Sequence, residues 1–577
     1  MMMWRKRTGG WLWLLALIGG CVSAGRIDSD LIGRYQRSVL RGSPQRRAGA
    51  EGLDALRPTA GATGPRLKVV TDPAGKTDTI PLTLAEAVRR ALMSNTDIRV
   101  VSFDPAISRE QMIQAAAAFD VAVFGAISHA RVDHPTASTF LSGKSRTIPL
   151  EVGLRKTTTW GGQAEWTWDL TRTSDDSAFS TLNPRYESAT AIQLSQPLLR
   201  GAGRDFNLAA LRIARLGHKT AASQFRQTVE DVVTRLETAY WRLTQAAGDV
   251  KIQRALLKRT EATLAKVQVR FKNRLAALID VRHAEAAVRS RQAALVRLER
   301  VALDAQDALA TLLADAQINV LRRHQIVPVT APTTEPVTVD RARQLVAALR
   351  HSPVLEQARV AIAASDIQVR VARNETLPSL TLTASTGLMG LRGTGGRAMG
   401  QMTTLDYLDH SIGVTFEQPV GNRSARARLR QRRLERLQAI SRWQNLADQV
   451  AMQVSQAVQQ VRKSHEELTK QQVAAKALND YARILDANPD APQFAGAVGY
   501  ALWLDNTLRS QEALAAANRA VLQATVEYNN ALARLSQFTG TTLQRHHVKL
   551  DRDTAEDLIR EVLDYRSAPP GRARWER

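Results

Sequence analysis

The chain has 577 residues, of which 44% are apolar but only 5% aromatic, and it carries a formal net charge of +24. That length accommodates several ordinary domains, and the apolar share is enough for a real core. The charge raises nucleic acid as a partner, and a single cysteine, Cys21, excludes an internal disulfide framework, so packing alone must hold the fold.

The N-terminus opens with Arg5, Lys6 and Arg7, followed by the apolar run Trp11 to Ile18 and then Gly19-Gly20-Cys21. Eight apolar residues cannot span a bilayer, which needs about 20. Residues 1–20 therefore read as a processed export signal rather than an anchor helix. Ile18-Gly19-Gly20-Cys21 resembles a bacterial lipobox, which implies that Cys21 is lipidated and becomes the mature N-terminus. Val22 stands where an Asp would hold such proteins at the inner membrane, so the resemblance implies outer-membrane sorting. An exported chain does not meet nucleic acid, and that partner is set aside. Residues 21–78, rich in Arg, Gly, Pro and Ala, read as a flexible tether.

The body is an internal repeat. Ala91 to Ile98 aligns with Ala348 to Leu355, an offset of 348 − 91 = 257, and the same offset places Phe119-Asp120-Val121 on Thr376-Leu377-Pro378. Further on, Ser195-Gln196-Pro197-Leu198 matches Glu417-Gln418-Pro419-Val420 at 417 − 195 = 222. The first copy thus holds 257 − 222 = 35 extra residues between these landmarks, including Trp160-Gly161-Gly162 as a turn; they either lengthen a hairpin or add strands. A third match pairs Leu275 to Asp280 with Tyr500 to Asp505. The copies span 79–326 and 337–545, the Pro/Thr-rich stretch 327–336 joins them, and 546–577 is a tail.

Within each copy the hydrophobic period changes from two to 3.5. Ala164, Trp166, Trp168 and Leu170 alternate with polar residues, as do Ile412, Val414 and Phe416, and Leu380, Leu382 and Ala384. These are strands with one greasy and one wet face, suited to a sandwich or to a membrane barrel. Past the Gln-Pro landmark a 4-3 ladder runs Phe225, Val229, Val232, Leu236, Ala239, Leu243, Ala246, Val250 and on to Phe271, interrupted only at Gln253 and Thr260. The second copy repeats it from Ile440 to Val461, and the returning segment after Asp280 keeps it through Leu312. This is coiled-coil packing. A helix from about 205 to 272 would be roughly 100 Å long. Each copy reads as a short helix, strands, then a long helical hairpin.

Other features carry less. Pro197 and Pro419 sit where strand passes to helix, a position that suits a residue without an N–H donor. Arg423 to Arg436 holds seven arginines and one glutamate, and either contacts anionic headgroups or is a solvated helix face. The glycines of Gly387 to Gly400 lack the Gly-Lys-Ser/Thr of a phosphate loop and read as a hairpin turn. The ten histidines show no metal-ligand spacing, His546-His547 included, and no nucleophile elbow or carboxylate dyad is found. No enzyme activity, metal or cofactor is expected. Asp280 and Asp505 follow the hairpin turns, where N-capping is the plain role.

The doubled plan resembles the TolC-like outer-membrane efflux protein family over roughly residues 79 to 545. The marks are Leu82-Thr83-Leu84-Ala85-Glu86-Ala87, Ser195 to Gly201, and Val498-Gly499-Tyr500 with Leu504-Asp505. The resemblance implies an α+β fold: a homotrimer whose strands close one transmembrane β-barrel among outer-membrane lipids, continued by a coiled-coil α-helical barrel across the periplasm. It implies a lipoprotein channel subunit for efflux or type I secretion, docking by its hairpin tips to a periplasmic adaptor protein and through it to an inner-membrane transporter. By that likeness Leu275, Asp280, Val498, Gly499, Tyr500 and Asp505 lie at the docking tips, and Asp505 forms an acidic ring at the periplasmic gate. Arg274 stands where the first tip would carry the family's glycine. A lipid-anchored periplasmic adaptor, or a coiled-coil scaffold without a pore, is the alternative.

Overall fold

A computed structural model describes residues 70–71, 78–135, 142–177, 180–315, 318, 324–487 and 496–548. Cys21, the signal segment and nearly all of the tether and tail lie outside the described residues.

Each copy begins with two helices rather than one. In the first copy they are α1 (Leu84–Ser94) and α2 (Thr96–Ala116), after the short strands β1 (Val70–Thr71) and β2 (Asp78–Leu82). Asn95 makes the break. Its Oδ1 accepts from the N–H groups of Asp97 and Ile98, capping α2, while its Nδ2 donates to the Leu312 carbonyl. A capping asparagine satisfies donors that a continuous helix would not leave free.

After α2 come β3 (Val121–Ile127), β4 (Ala130–Asp133), β5 (Lys144–Thr157), β6 (Gln163–Asp175) and β7 (Arg185–Pro197). A short α3 (Arg204–Asn207) leads into α4 (Ala209–Lys272), which returns as α5 (Leu278–Leu313). The second copy has β8 (His324–Pro328), α6 (Arg341–His351), α7 (Pro353–Asn374), β9 (Ser379–Arg392), α8 (Gly395–Met402) and β10 (Leu408–Glu417). Its hairpin is α9 (Arg423–Ala487) and α10 (Gly496–Thr539), and α11 (Thr542–Arg545) closes the order. The repeat is visible residue by residue: α6 and α7 start 341 − 84 = 257 and 353 − 96 = 257 after α1 and α2. Where Asn95 breaks the first pair, Ser352-Pro353 breaks the second, with Pro at the first helical position, where its missing donor costs nothing.

The 64 residues of α4 and 65 of α9 make helices of about 95 Å each. Val229, Val232, Leu236, Leu243, Ala246 and Val250 of the ladder are buried, and all but Val250 share one core with Ala87, Val88 and Ala91 of α1 and Ala305, Leu309 and Leu313 of α5. The two ladder interruptions are buried as well. Gln253 donates to the Arg291 carbonyl of α5, and the Thr260 hydroxyl returns to the Leu256 carbonyl of its own helix.

The segment joining the copies is held down. Residues 327 and 328 belong to β8, which pairs parallel with β2. The Tyr240 hydroxyl donates to the Leu82 carbonyl and accepts from the Thr330 N–H, each at 2.9 Å. Tyr528 does the same for the Glu335 carbonyl and Val337 N–H, and the Asn529 side chain takes both backbone groups of Thr333.

Candidate functional site

Apart from β1, β2 and β8, the strands form one antiparallel sheet in the order β10-β9-β7-β6-β5-β3, with β4 also on β5. The register of β3 and β4 on β5 is one register, since 127 + 150 = 277 and 130 + 147 = 277, so they are a single strand interrupted at residues 128–129. Pro149 is the cause. It accepts from the Ser128 N–H through its carbonyl but has no N–H to return, and the ladder lapses there.

The pairing sorts the side chains cleanly. On one face Val123, Leu154, Trp166 and Ile192 follow one another across four strands, and Leu194, Ala384 and Ile412 continue the face to β10. On the other, Glu165 lies opposite Arg155 and Gln193, and Ser385 opposite Gln193 and Ser411. Arg155 is bonded to both carboxylate oxygens of Glu165, at 2.7 and 3.2 Å. One face is greasy and one wet over six strands in register, which water on both sides would not favour. Trp160-Gly161-Gly162 forms the β5–β6 turn, with Gly161 at φ +96°. The glycine-rich segment is not a simple turn: Gly387 and Gly390 lie within β9, and α8 fills the β9–β10 connection. Gly390 is required there, because a Cβ would come within 2.1 Å of the Ala398 carbonyl of α8. Pro197 ends β7 and Pro419 follows β10 by two residues.

The hairpin tips come together in one cluster. Val267 of α4, Val281 and Ala284 of α5, Leu485 of α9, and Tyr500, Trp503, Leu504 and Leu508 of α10 share it. Trp503 donates to the Leu485 carbonyl and stacks on Tyr500, whose ring also carries the Arg270 guanidinium 4.4 Å from its centroid. Around this cluster Leu275, Leu278, Ile279, Val498 and Leu502 are exposed.

Two expectations about the tips need correction. Asp280 is not the N-cap of α5 but its third residue, and its Oδ2 accepts from the Ala277 N–H, 2.9 Å away. Asp505 does not cap at all. α10 starts at Gly496, so Asp505 lies more than two turns inside it, half-buried and paired with Arg509 at 2.9 Å on the next turn. The returning helix begins earlier than in the first copy, at Gly496, whose φ is +79°. Gly499 is helical, whereas Arg274 holds φ +60° after α4.

Sequence reasoning missed the buried polar link between the hairpins. Arg291 of α5 donates to the Leu508 carbonyl and to Gln511 Oε1 of α10, and Gln511 in turn donates to Thr263 of α4. Burial pushes the Arg291 pKa down, with Glu512 opposing. An arginine on an otherwise apolar ladder face was the available signal. The sequence also left His546 unassigned; it reaches the fully buried Glu237, which Arg545 also pairs. In the basic run, Arg428 and Arg436 pair with Glu375 and Asp366 of α7, while Arg423, Arg426, Arg430 and Arg433 lie exposed.

Residues 163–315 match the family described as outer membrane efflux protein. The fold is that of the outer-membrane efflux channels. The CmeC outer membrane channel of Campylobacter jejuni aligns at a TM-score of 0.58 and 15% identity, over 83% of this chain and 89% of that one. The OprN outer-membrane channel aligns at 0.57 and 18%, over 79% and 90%. The outer membrane protein VceC of Vibrio cholerae gives 0.56 and 16%, over 79% and 96%. No curated protein matches by sequence. The family model covers part of the chain and the solved channels share its fold, in line with the resemblance drawn from the repeat landmarks, and that fold accounts for the helix-rich body with its large sheet. Among the described residues no helix is long and apolar enough to cross a membrane, which leaves the sheet of the channel fold untouched.

Proposed function

We propose that three copies of this chain form an outer-membrane channel-tunnel that serves an efflux or type I secretion system, with no enzymatic step of its own. The observation that carries the reading is the pair of unfilled edges. β3 at one end of the sheet leads back into α2, and β10 at the other leads on into α9. Ile412 is 80% exposed and Val123 73%, and the helices beside them leave Val100, Phe103, Ile107, Leu434 and Leu437 exposed. An open strand edge cannot stand in lipid, where each backbone group needs a partner. Because β3 and β10 run in opposite directions, the edge of one copy can pair antiparallel with the next. An adaptor or a poreless scaffold has no use for such a sheet.

In this reading the apolar tips around Leu275, Val498, Gly499 and Tyr500 dock an adaptor linked to an inner-membrane transporter, with Asp280 fixing the first tip. Cys21 carries the lipid that tethers the chain to the outer membrane. Asp505 lines the periplasmic constriction, where threefold symmetry would gather three carboxylates. Arg509 adds an opposite charge one turn away, so the selectivity is mild. The test is the mass of the purified full-length chain in mild detergent, with single-channel recording in planar bilayers. A trimer that conducts is expected, with cation preference lowered in Asp505→Asn and raised in Arg509→Gln. A monomer that opens no pore would remove the channel reading; identical selectivity in all three proteins would remove the gate.

A further inference from the structure

The two copies do not contribute equally to the sheet. In the second copy β9 and β10 follow one another directly. Their counterparts are β3 with β4, and β7: the offset of 257 carries Val121 to residue 378, next to Ser379, and the offset of 222 carries Arg185 to 407, next to Leu408. The β5–β6 hairpin, 144–175, has no counterpart, and its 175 − 144 + 1 = 32 residues make up most of the 35 extra ones.

We propose that this hairpin is part of the outer-membrane wall, so that the trimer closes an 18-stranded barrel. The proposal rests on the trimeric channel reading. Four observations support it. First, β5 and β6 are not an appendage at a sheet edge but lie between β3 and β7, hydrogen-bonded on both sides over 7 to 13 residue pairs. Second, their lengths of 14 and 13 residues match the 13 and 14 of β7 and β9, and exceed the 9 to 11 or so needed to span a bilayer at a tilt. Third, Ile148, Leu150, Val152 and Leu154 with Trp166, Trp168 and Leu170 continue the greasy face without a step, while Glu151, Glu165 and Asp169 continue the wet one. A hairpin folded into the lumen would put tryptophans into water.

The fourth is parity. Counting β3 and β4 as one strand, each chain offers six among the described residues, and 3 × 6 = 18. A whole hairpin leaves β3 and β10 antiparallel at the seam, as closure requires; a single added strand would have made them parallel. Without the hairpin the count would be 3 × 4 = 12. At about 4.8 Å between strands and a tilt near 40°, 18 strands give a backbone diameter of about 36 Å and 12 give about 24 Å. The outer-membrane portal is then about 1.5-fold wider than the second copy's plan alone would build, and of the strand number that leaves an open aqueous channel.

Electron cryo-microscopy of the full-length chain in detergent tests this. The expected particle is threefold, with 18 strands in its outer-membrane section. A variant lacking 144–175 checks the count independently; its cut ends already adjoin, since the Asp176 N–H donates to the Lys144 carbonyl at 3.1 Å. That variant is expected to show 12 strands. A threefold wild-type particle with 12 strands and the β5–β6 hairpin outside the wall overturns the proposal and leaves the channel reading standing. A particle without a threefold barrel overturns the channel reading itself.

Discussion

Tyr240→Phe isolates the strap that holds the segment between the two copies against α4. Tyr240 is fully buried, and its hydroxyl serves two backbone groups at once, the Leu82 carbonyl and the Thr330 N–H. Phenylalanine keeps the ring, including its edge-on contact with Trp241 at 5.3 Å, and so leaves no cavity beyond the oxygen. Each lost hydrogen bond is worth about 0.5–1.5 kcal/mol, and one loss falls on buried and one on part-buried backbone, so the variant should cost about 1–3 kcal/mol locally. Hydrogen exchange reads this directly, because an amide released by local opening exchanges in proportion to the opening free energy. At about 1.4 kcal/mol per tenfold, exchange at Thr330 should accelerate roughly 5- to 150-fold. Mass spectrometry of peptides covering 324–333 in the full-length protein measures it. Tyr528→Phe should act instead on Glu335 and Val337, since the two tyrosines share no partner. Wild-type exchange over 324–333 in Tyr240→Phe would refute the assignment of that hydroxyl as the strap.

Four further outcomes are expected. Arg291→Ala removes the donor of Gln511 Oε1 and opens a hole, so denaturant unfolding should show a loss of about 2–5 kcal/mol, whereas Arg291→Met, which removes the same charge and donors but fills most of the hole, should lose less; equal losses would argue against a packing contribution of this side chain. Burial raises the Glu230 carboxyl pKa, with Arg226 opposing. The folded state therefore holds the proton longer than the unfolded one, and stability falls as pH rises from about 4 through the raised value; Glu230→Gln should gain on wild type over that window in Tm, and parallel curves would contradict it. Gly153→Val should abolish trimers on gels, because a Cβ there would lie 2.4 Å from Phe124 Cζ and 2.7 Å from the Trp166 carbonyl, while Gly125→Ala, with its nearest atom at 3.4 Å, should not. Cys21→Ser should remove the acyl mass from the mature chain, and an unmodified wild-type N-terminus elsewhere would end the lipidation proposal.

Much of the fold is legible in the sequence because it is built from local periodicity. A 3.5 repeat over 60 residues can only be a long packed helix, and alternation through Trp166 and Trp168 can only be a two-faced strand. The duplication declares itself for the same reason: both copies must bury the same faces. What periodicity does not carry is anything set by partners distant in the chain. Asn95 breaks the entry helix because Leu312 lies beside it, 217 residues later. Arg291 stands out on its apolar ladder face, but its partners Leu508 and Gln511 come only with α10, and His546 looks idle until Glu237 faces it. Asp505 resembled a cap by alignment with Asp280, but the helix starts nine positions earlier, at Gly496, and Asp505 pairs with Arg509 instead. The sequence alone thus determined the long helices, the faces of the strands and the duplication. Only the tertiary structure decided that most of the 35 extra residues become two strands inside the sheet, because a strand's place is fixed by hydrogen bonds to neighbours that its own residues do not name.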